Sequence, residues 1–497
     1  MSPTADAAHR GAVAAGHPAS AEAGAAVLRA GGNAVDAAVA AVLTSFVAEP
    51  LLTGLAAGGY LLVVPPDADA VLLDFFVEAP GRGLDLADRA PLRAVTIDFG
   101  DATQVFHVGA ASCGTYGMPA GLAAAVAQFG RASLAELTAP AARLARTGVR
   151  VTPMQAYLYA LLAEINAATP AGRARYLPGG RPPREGDVVV DHELAEALDR
   201  FGADGPAPFY TGDVAAAVVA VARGQGGLLG AADLAAYRVI ERAPLRVPYR
   251  DVTVCLNPPP SAGGTLLGRA LTELDRTPGP PDTPSLVAAM AAAERARTPE
   301  FLASIAGPVD VQRANRLGST THVSVLDADG WACAVTSSNG EGSGVVVPGT
   351  GLHLNNVLGE EDLSPLGFHQ QRPGMRLPSM MAPTAVLRDG VAQLVAGSAG
   401  SNRIRSAVLQ VIVNVLDRGM TAQAAVDAPR LHLDGAELYA EPGLPATELE
   451  ATGLPVTTFR APNLFFGGCQ AVARHPVTGA LSAGADDRRG GAVRYAP

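Results

Sequence analysis

The chain has 497 residues, of which 48% are hydrophobic and 17% are charged, a composition typical of a folded globular protein. Its 37 basic and 47 acidic residues give a formal net charge of −10 without any basic run, which argues against nucleic acid or an anionic membrane as partner. All the basic residues are arginines, so mechanisms that need a lysine amine, such as a pyridoxal Schiff base, are excluded.

The cysteines and the N-terminal residues bear on the cellular compartment. The four cysteines, Cys113, Cys255, Cys333 and Cys469, are far apart and form no metal or redox spacing, which predicts free thiols in a reducing compartment. The N-terminal residues include Asp6 and lack a basic segment followed by an apolar one, so we expect neither a signal peptide nor a membrane span. The sequence therefore predicts a cytoplasmic protein.

The N-terminal part predicts two helices followed by a hairpin. Residues 21–47 are rich in alanine and valine and are divided by the pair Gly31 and Gly32, with Asn33 as a plausible cap of the second helix. The apolar runs 60–64 and 71–77 flank a proline-containing turn and predict two paired strands in the core of a sheet.

The remaining pattern changes from helical to strand-rich near residue 320. Residues 119–200 and 213–238 have helical spacing, and the proline-rich stretch 277–284 predicts a linker and a candidate boundary. Beyond it the pattern predicts a helix over 286–305, strands over 319–325, 331–336, 385–388 and 392–396, and a helix over 404–416. Strands at both ends with helices between them favour a layered α+β fold.

Common hydrolytic and nucleotide-binding motifs are missing from the sequence. The nine histidines include no HExxH spacing, and no GxSxG nucleophile elbow occurs. The glycines of 54–59 have the wrong spacing for a dinucleotide turn, and a phosphate loop needs the absent lysine. We therefore expect no metal and no cofactor.

Several ordered segments resemble the γ-glutamyltransferase (γ-glutamyltranspeptidase) family of N-terminal-nucleophile hydrolases. The most specific of them begins Thr320, Thr321, His322 and opens a predicted strand. The matching segments are 31–38, 54–59, 117–119, 137–148, 209–212, 233–237, 258–264, 320–325, 354–356, 376–384 and 397–404.

The resemblance implies a proenzyme that cuts itself between Ser319 and Thr320. The products would be a large chain, 1–319, and a small chain, 320–497, held together as one four-layer αββα sandwich. Thr320 then becomes the nucleophile, and its freed α-amino group, with an ordinary pKa of about 7.7–8.0, accepts the hydroxyl proton near neutral pH.

The resemblance also carries over the residues that assist the nucleophile. Backbone N–H groups at Gly400 and Ser401 match the oxyanion donors, although the family usually has glycine at the second position. Ser338 matches a hydroxyl residue that hydrogen-bonds the nucleophile, with a solvated loop serine as the alternative interpretation. His322 is expected to pack or bond locally rather than act as a base.

Other matching positions concern the substrate. Asn339 resembles a substrate-binding asparagine, in a loop that is shorter than in familiar members. Ser379 matches the first of two carboxylate-binding serines, and Met380 replaces the second.

The clamp for a glutamyl group departs from the family pattern at both ends. Phe76 stands where the family has the arginine that pairs with the α-carboxylate, and phenylalanine cannot replace that charge-assisted contact. Val357 and, one residue out of register, Glu360 stand where residues that hold the α-amino group are expected. A plain γ-glutamyl donor should therefore bind poorly unless Arg82 or Arg403 supplies the missing charge.

We interpret the chain as a self-processing N-terminal-threonine hydrolase or acyltransferase that acts on an acyl group other than a plain γ-glutamyl amide. Its partners would be a small-molecule substrate and the two chains of one precursor. Three alternatives stay open: a true γ-glutamyl (glutathione) hydrolase or transferase, a carbon–carbon bond hydrolase of an alkylproline-type pathway, and a catalytically silent homologue used as a binding protein.

Overall fold

The computed structural model describes residues 9–98, 103–298, 300–301, 320–363 and 367–497. Its strands are β1 (Gly11–Ala15), β2 (Gly58–Val64), β3 (Val71–Phe75), β4 (Arg93–Asp98), β5 (Thr103–Val108), β6 (Val149–Arg150), β7 (Val188–Val189), β8 (Ile240–Arg242), β9 (Leu245–Tyr249), β10 (Val252–Leu256), β11 (Thr321–Asp327), β12 (Ala332–Ser338), β13 (Val346–Val347), β14 (Leu352–His353), β15 (Thr384–Arg388), β16 (Val391–Ala399), β17 (Leu431–Asp434), β18 (Glu437–Ala440), β19 (Val456–Thr458), β20 (Gly468–Arg474), β21 (Leu481–Ala485) and β22 (Ala492–Ala496).

The α-helices lie mostly in the middle of the chain. They are α1 (Pro18–Arg29), α2 (Ala34–Ala48), α3 (Met118–Phe129), α4 (Leu134–Thr147), α5 (Pro153–Leu161), α6 (Ala163–Asn166), α7 (Pro170–Tyr176), α8 (His192–Asp204), α9 (Ala207–Tyr210), α10 (Asp213–Gly224), α11 (Ala231–Ala236), α12 (Ala262–Asp275), α13 (Thr283–Arg295), α14 (Arg403–Leu416), α15 (Ala422–Asp427) and α16 (Ala446–Glu450).

Two large sheets form the centre of the fold. The first has seven strands in the order β22-β1-β11-β12-β2-β3-β8, and the second has six strands in the order β21-β20-β16-β15-β10-β9. All pairs within both sheets are antiparallel. The first sheet therefore combines strands from both sides of the predicted cleavage site.

The two sheets pack face to face between two helical layers. Strands β11 and β12 contact β16, helix α2 covers β11 and β12, and α12 and α14 cover the second sheet. Along β1, Val13 and Ala15 face the core beneath α2, while Ala12 and Ala14 face the core between the sheets. This alternation follows from the two-residue period of a strand, and the layers make the predicted αββα sandwich.

Helix α2 shows how the sequence builds the layer that supports the site. The side chain of Asn33 accepts hydrogen bonds from the backbone N–H groups of Val35 and Asp36, and Asp36 bonds back to the N–H of Asn33. This capping box fixes the start of the helix. Every residue of α2 is buried, and the helix begins after Asn33 as predicted.

The predicted hairpin is confirmed, whereas the predicted boundary is wrong. Strands β2 and β3 pair antiparallel, with Leu62 opposite Leu72. The proline-rich stretch 277–284 only connects α12 to α13, and Leu274 and Leu286 on these two helices belong to one core. Prolines and exposed polar residues make a short surface loop as readily as a domain linker.

Several predictions fall partly or wholly on residues that are not described. The helix expected over 286–305 is seen as α13, which ends at Arg295, and 302–305 lie outside the described residues, as does Ser319. All four cysteines are free and buried. Within the described ranges, no helix is long and apolar enough to cross a membrane.

Candidate active site

Thr320 lies directly before a central strand of the first sheet. It is 5% exposed and directly precedes β11, which lies between β1 and β12. The next residue, Thr321, is paired with Ser337 of β12, so the pairing of β11 with β12 begins directly after Thr320. The sheet therefore holds the chain on the C-terminal side of Thr320.

A buried carboxylate holds the residue after Thr320. The hydroxyl of Thr321 donates a hydrogen bond of 3.0 Å to Oε1 of Glu49, which follows the C-terminus of α2. Oε2 of Glu49 is buried and has no hydrogen-bond partner among the described residues. Burial raises the pKa of the Glu49 carboxyl to about 7, against the opposing effects of the Thr321 hydrogen bond and the charge of Arg489.

His322 is not placed as a catalytic base. Its Nδ1 lies 2.7 Å from Oγ1 of Thr336 and its Nε2 lies 2.9 Å from Oγ of Ser324, so both ring nitrogens have local partners. Burial lowers the pKa of His322 to about 3, so the ring is neutral. The prediction that this histidine packs and bonds locally is confirmed.

The predicted oxyanion donors lie in a turn between β16 and α14. The ring of His322 packs against Gly397 of β16, so β11 and β16 face each other close to this turn. Gly400 has a φ of +116° and Ser401 has a φ of +51°, two consecutive positive values that only glycine adopts freely. The turn therefore has the strained form expected of a backbone anion site, and the serine adopts it at a conformational cost.

Arg489 packs against this turn. A Cβ atom built at Gly400 would lie 3.4 Å from Nη2 of Arg489, and the stem of the arginine packs tightly against Gly468. Burial lowers the pKa of Arg489 to about 10, while the negative charges of Asp486, Glu341 and Glu49 act in the opposite direction. The guanidinium is therefore still charged at neutral pH.

The loop after β12 carries two of the predicted site residues. Oγ of Ser338 accepts a 3.0 Å hydrogen bond from the N–H of Gly340, which stabilises the shortened loop. Nδ2 of Asn339 donates to the carbonyl oxygen of His353, and its Oδ1 is buried with no hydrogen-bond partner among the described residues. The amide oxygen of Asn339 is therefore the part of this side chain that could accept a bond from a ligand.

Acidic and amide groups converge on Gly340 from the segment after β14. A Cβ atom at Gly340 would lie 2.6 Å from Oε1 of Glu360 and would collide with Oδ1 of Asn356. Nδ2 of Asn356 lies 3.5 Å from Oε2 of Glu341, and the buried Oδ1 of Asn356 has no hydrogen-bond partner within the described ranges. These oxygens could accept hydrogen bonds from an ammonium group.

Ser379 lies in the segment before β15, where it forms an isolated β-bridge with Ser261. Its Oγ accepts a 3.0 Å hydrogen bond from the N–H of Met381, and its carbonyl oxygen accepts from the hydroxyl of Ser261 and from the N–H of Gly263. The serine hydroxyl still has donor capacity, as the predicted role in binding a substrate oxygen requires.

Phe76 has become part of the hydrophobic core. It is 0% exposed and stacks on Tyr60 with a ring-centroid distance of 5.5 Å. Val357 and Met380, which also stand where the resemblance implies polar substrate contacts, belong to the same apolar cluster as Phe76. Three positions of the expected glutamyl clamp are thus apolar and buried in the core.

The two arginines considered as replacements for the missing charge are engaged elsewhere. Nη1 of Arg82 lies 3.2 Å from Oε2 of Glu78. Nε of Arg403 donates to the carbonyl oxygen of Phe465, and its guanidinium lies 5.0 Å from the centroid of that ring. In the structure neither arginine takes the place left by Phe76.

Sequence reasoning missed Glu49, Glu341 and Arg489 as neighbours of the site. Glu49 interrupts an otherwise apolar stretch, which is the signal by which a buried carboxylate could have been found. Glu341 and Arg489 carry no comparable signal, because charged residues in glycine-rich loops are common on surfaces. Within the described ranges, no group of three His, Cys, Asp or Glu side chains has the arrangement of a metal site.

Comparisons with known proteins agree with this fold. A family model described as Gamma-glutamyltranspeptidase matches residues 20–298 and 284–496. The Acylase ACY 1 proenzyme of Pseudomonas sp. (strain SE83) is 34% identical over 524 residues, covering 96% of this chain and 92% of that protein. The Glutathione hydrolase proenzyme of Escherichia coli (strain K12) is 31% identical over 460 residues, covering 82% and 78%.

A solved structure extends the agreement to three dimensions. The cephalosporin acylase from Bacillus halodurans superposes with a TM-score of 0.79 at 26% identity, covering 99% of this chain and 98% of that one. The αββα sandwich is thus that of an N-terminal-nucleophile hydrolase. More narrowly, the chain belongs to the γ-glutamyltranspeptidase family and is an enzyme that hydrolyses or transfers acyl groups.

Proposed function

We propose that the protein is a self-processing N-terminal-threonine amide hydrolase whose acyl donor lacks the α-carboxylate of a γ-glutamyl group. The observation that carries the substrate class is that apolar, buried residues, Phe76, Val357 and Met380, stand at three positions of the expected clamp. Burying an unpaired carboxylate against such a surface costs several kcal/mol, on the order of the whole affinity of a weak ligand.

The other substituent on the α-carbon of the donor is expected to be cationic. Glu360 and the amide oxygen of Asn356 converge on Gly340, and the amide oxygen of Asn339 lies in the same loop. An ammonium group can satisfy such acceptors, whereas a carboxylate would be repelled by Glu360 and Glu341. We therefore propose an amino-acyl donor, with 4-aminobutyryl amides as the simplest representative.

Maturation supplies the nucleophile. Oγ of Thr320 attacks the carbonyl carbon of Ser319, the C–N bond breaks, and the resulting ester is hydrolysed by water to leave a carboxylate on Ser319. The α-amino group of Thr320 is then free. Because residue 320 directly precedes β11, the sheet holds it in place while the preceding chain is released.

Turnover uses the same hydroxyl. The α-amino group of Thr320 takes the hydroxyl proton as Oγ attacks the donor carbonyl carbon, and the N–H groups of Gly400 and Ser401 stabilise the oxyanion. The carbon–nitrogen bond then breaks, and the leaving amine takes the proton back. Water hydrolyses the threonine ester to release the acid, with the α-amino group again accepting and returning a proton.

Intact mass and N-terminal sequencing of the purified protein test the nucleophile. We expect two fragments in the wild type, the smaller beginning Thr-Thr-His, and one uncut chain in the Thr320→Ala variant. Thr321→Ala is the matched control: it removes a neighbouring hydroxyl and should still be cut at the same bond. An uncut wild-type chain would refute the proposal and leave the silent homologue as the better reading.

Four p-nitroanilides with acyl chains of the same length test the substrate class. They are the γ-glutamyl, glutaryl, 4-aminobutyryl and butyryl derivatives, which carry both end groups, the carboxylate alone, the amine alone and neither. We expect kcat/KM to be highest for the 4-aminobutyryl compound and at least tenfold lower for the γ-glutamyl and glutaryl compounds. A γ-glutamyl rate equal to the best would refute the carboxylate argument, and a fully cut enzyme inactive on all four would refute amide hydrolysis and favour carbon–carbon cleavage.

A further inference from the structure

Arg489 joins three segments that meet at the active site. The stem of its side chain packs against Gly468. Its Nη2 would lie 3.4 Å from a Cβ atom built at Gly400, and the same nitrogen lies 3.4 Å from the carbonyl oxygen of Leu464. The residue is the last of the short 3-10 turn Asp487–Arg489, which follows β21. The guanidinium therefore lies against the oxyanion turn.

The negative charges that act on Arg489 come from separate parts of the fold. Glu49 lies at the C-terminus of α2 and is bonded to Thr321, Glu341 lies in the loop after β12, and Asp486 precedes the 3-10 turn. Asp486 already has other cationic partners, since it pairs with Arg430 and Arg488. Asp486 has the largest effect of the three on the pKa of Arg489, but Glu341 and Glu49 are the two that lie in segments of the active site.

Glu49, which bonds to the residue after the nucleophile, and Glu341, in the loop that carries Ser338 and Asn339, are both buried carboxylates. Negative charge at Glu49 or Glu341 opposes the negative charge that develops on the donor oxygen, and the low dielectric of a buried site strengthens this repulsion. A positive charge next to the turn offsets this repulsion. Arg489 supplies such a charge, and its stem is fixed by close packing against Gly468.

We propose that Arg489 is a positioning residue of the acyl-transfer reaction: it supports the Gly400–Ser401 turn and neutralises Glu49 and Glu341 so that the turn can hold an oxyanion. This inference rests on the proposed function, because it needs Thr320 to form a tetrahedral intermediate.

A double-mutant cycle between Arg489 and Glu49 tests the proposal. The four proteins are the wild type, Arg489→Met, which keeps most of the stem volume, Glu49→Gln, and the double variant. In Arg489→Met we expect kcat to fall 10- to 100-fold with KM changed less than threefold, because the loss concerns the transition state rather than substrate binding. In the double variant we expect at least a tenfold recovery of kcat, because the uncompensated carboxylate is gone.

A boronic acid separates this electrostatic role from a merely structural one. Butylboronic acid forms a tetrahedral anion on a hydroxyl nucleophile, so its inhibition constant should rise in Arg489→Met by the same factor as kcat falls. Arg489→Lys, which keeps the charge, should regain most of both losses. Arg276→Met is the matched control: Arg276 is exposed at the end of α12, and its loss removes one positive charge without touching the site.

The outcomes separate this inference from the proposed function. A wild type that is neither cut nor active on any of the four anilides would contradict the proposed function. With an active wild type, an Arg489→Met protein within threefold of the wild-type kcat would overturn the inference, as would a loss of kcat that Glu49→Gln does not relieve. If Arg489→Met does not fold, Arg489→Gln takes its place in the cycle with the same expected results.

Discussion

Glycine at position 401 is expected to make the protein more stable than alanine there, although glycine is usually the less stabilising of the two. Ser401 has a φ of +51° and is buried in the oxyanion turn. A residue with a Cβ atom pays about 1–2 kcal/mol for this left-handed conformation, whereas glycine loses about 0.5–1 kcal/mol more backbone entropy on folding. The difference leaves glycine about 0.5–1 kcal/mol ahead of alanine at this position.

Alanine is the proper reference because it removes the serine hydroxyl together with its contacts but keeps the Cβ atom. The free energies of unfolding of Ser401→Gly and Ser401→Ala should be compared by urea titration at one pH, and kcat should stay within threefold of the wild type in both, since the backbone N–H is kept. Ser20, buried in helix α1, provides the control pair. There alanine should be about 1 kcal/mol more stable than glycine. A glycine variant at 401 that is less stable than the alanine variant would refute the reasoning.

Three further predictions concern buried groups. The pKa of Glu49 is raised to about 7, so the folded state keeps a proton that the unfolded chain has lost, and stability should fall as the pH rises from about 5 to about 7. Glu49→Gln should therefore gain stability relative to the wild type over this interval in urea titrations at pH 5 and pH 8, and parallel curves would contradict this. Phe76→Ala should cost about 3–5 kcal/mol in the same assay, because it empties a core site stacked on Tyr60, and a cost below about 1 kcal/mol would show that the cluster is loosely packed. Burial tends to raise the pKa of Asp486, but the charges of Arg430 and Arg488 lower it. The ionised carboxylate therefore stabilises the folded protein above about pH 4, and this contribution is lost as the pH falls through the lowered pKa. Asp486→Asn should be about 3 kcal/mol less stable than the wild type at pH 7, with the difference narrowing towards pH 3, and a constant difference would contradict the ionic explanation.

Much of the fold could be predicted because its signals are local. The cap at Asn33, the apolar run of α2 and the turn between β2 and β3 each depend on neighbouring residues, and all are seen as predicted. The proline-rich stretch 277–284 misled because proline marks any break in regular structure. Whether the helices on either side share one core is decided by distant contacts, such as that joining Leu274 and Leu286.

The candidate site was predictable only where a motif marks it. Thr320 and Gly400 could be located from their sequence neighbours, and the loss of a charge at Phe76 could be inferred from what the position lacks. The contact of Glu49 with Thr321 could not, because the sandwich brings together residues that are 272 positions apart. Neither residue type nor spacing contains that information.

The strand order of the first sheet bears on how the mature enzyme would come apart. Strand β1, from the N-terminal side of the predicted cut, lies between β11 and β22, both from the C-terminal side, and β12 pairs in turn with β2. The two products would be interwoven rather than docked through a surface, so they could not separate without breaking the sheet. Subunit exchange between differently labelled molecules should then proceed at the rate of global unfolding, and dilution alone should not dissociate them.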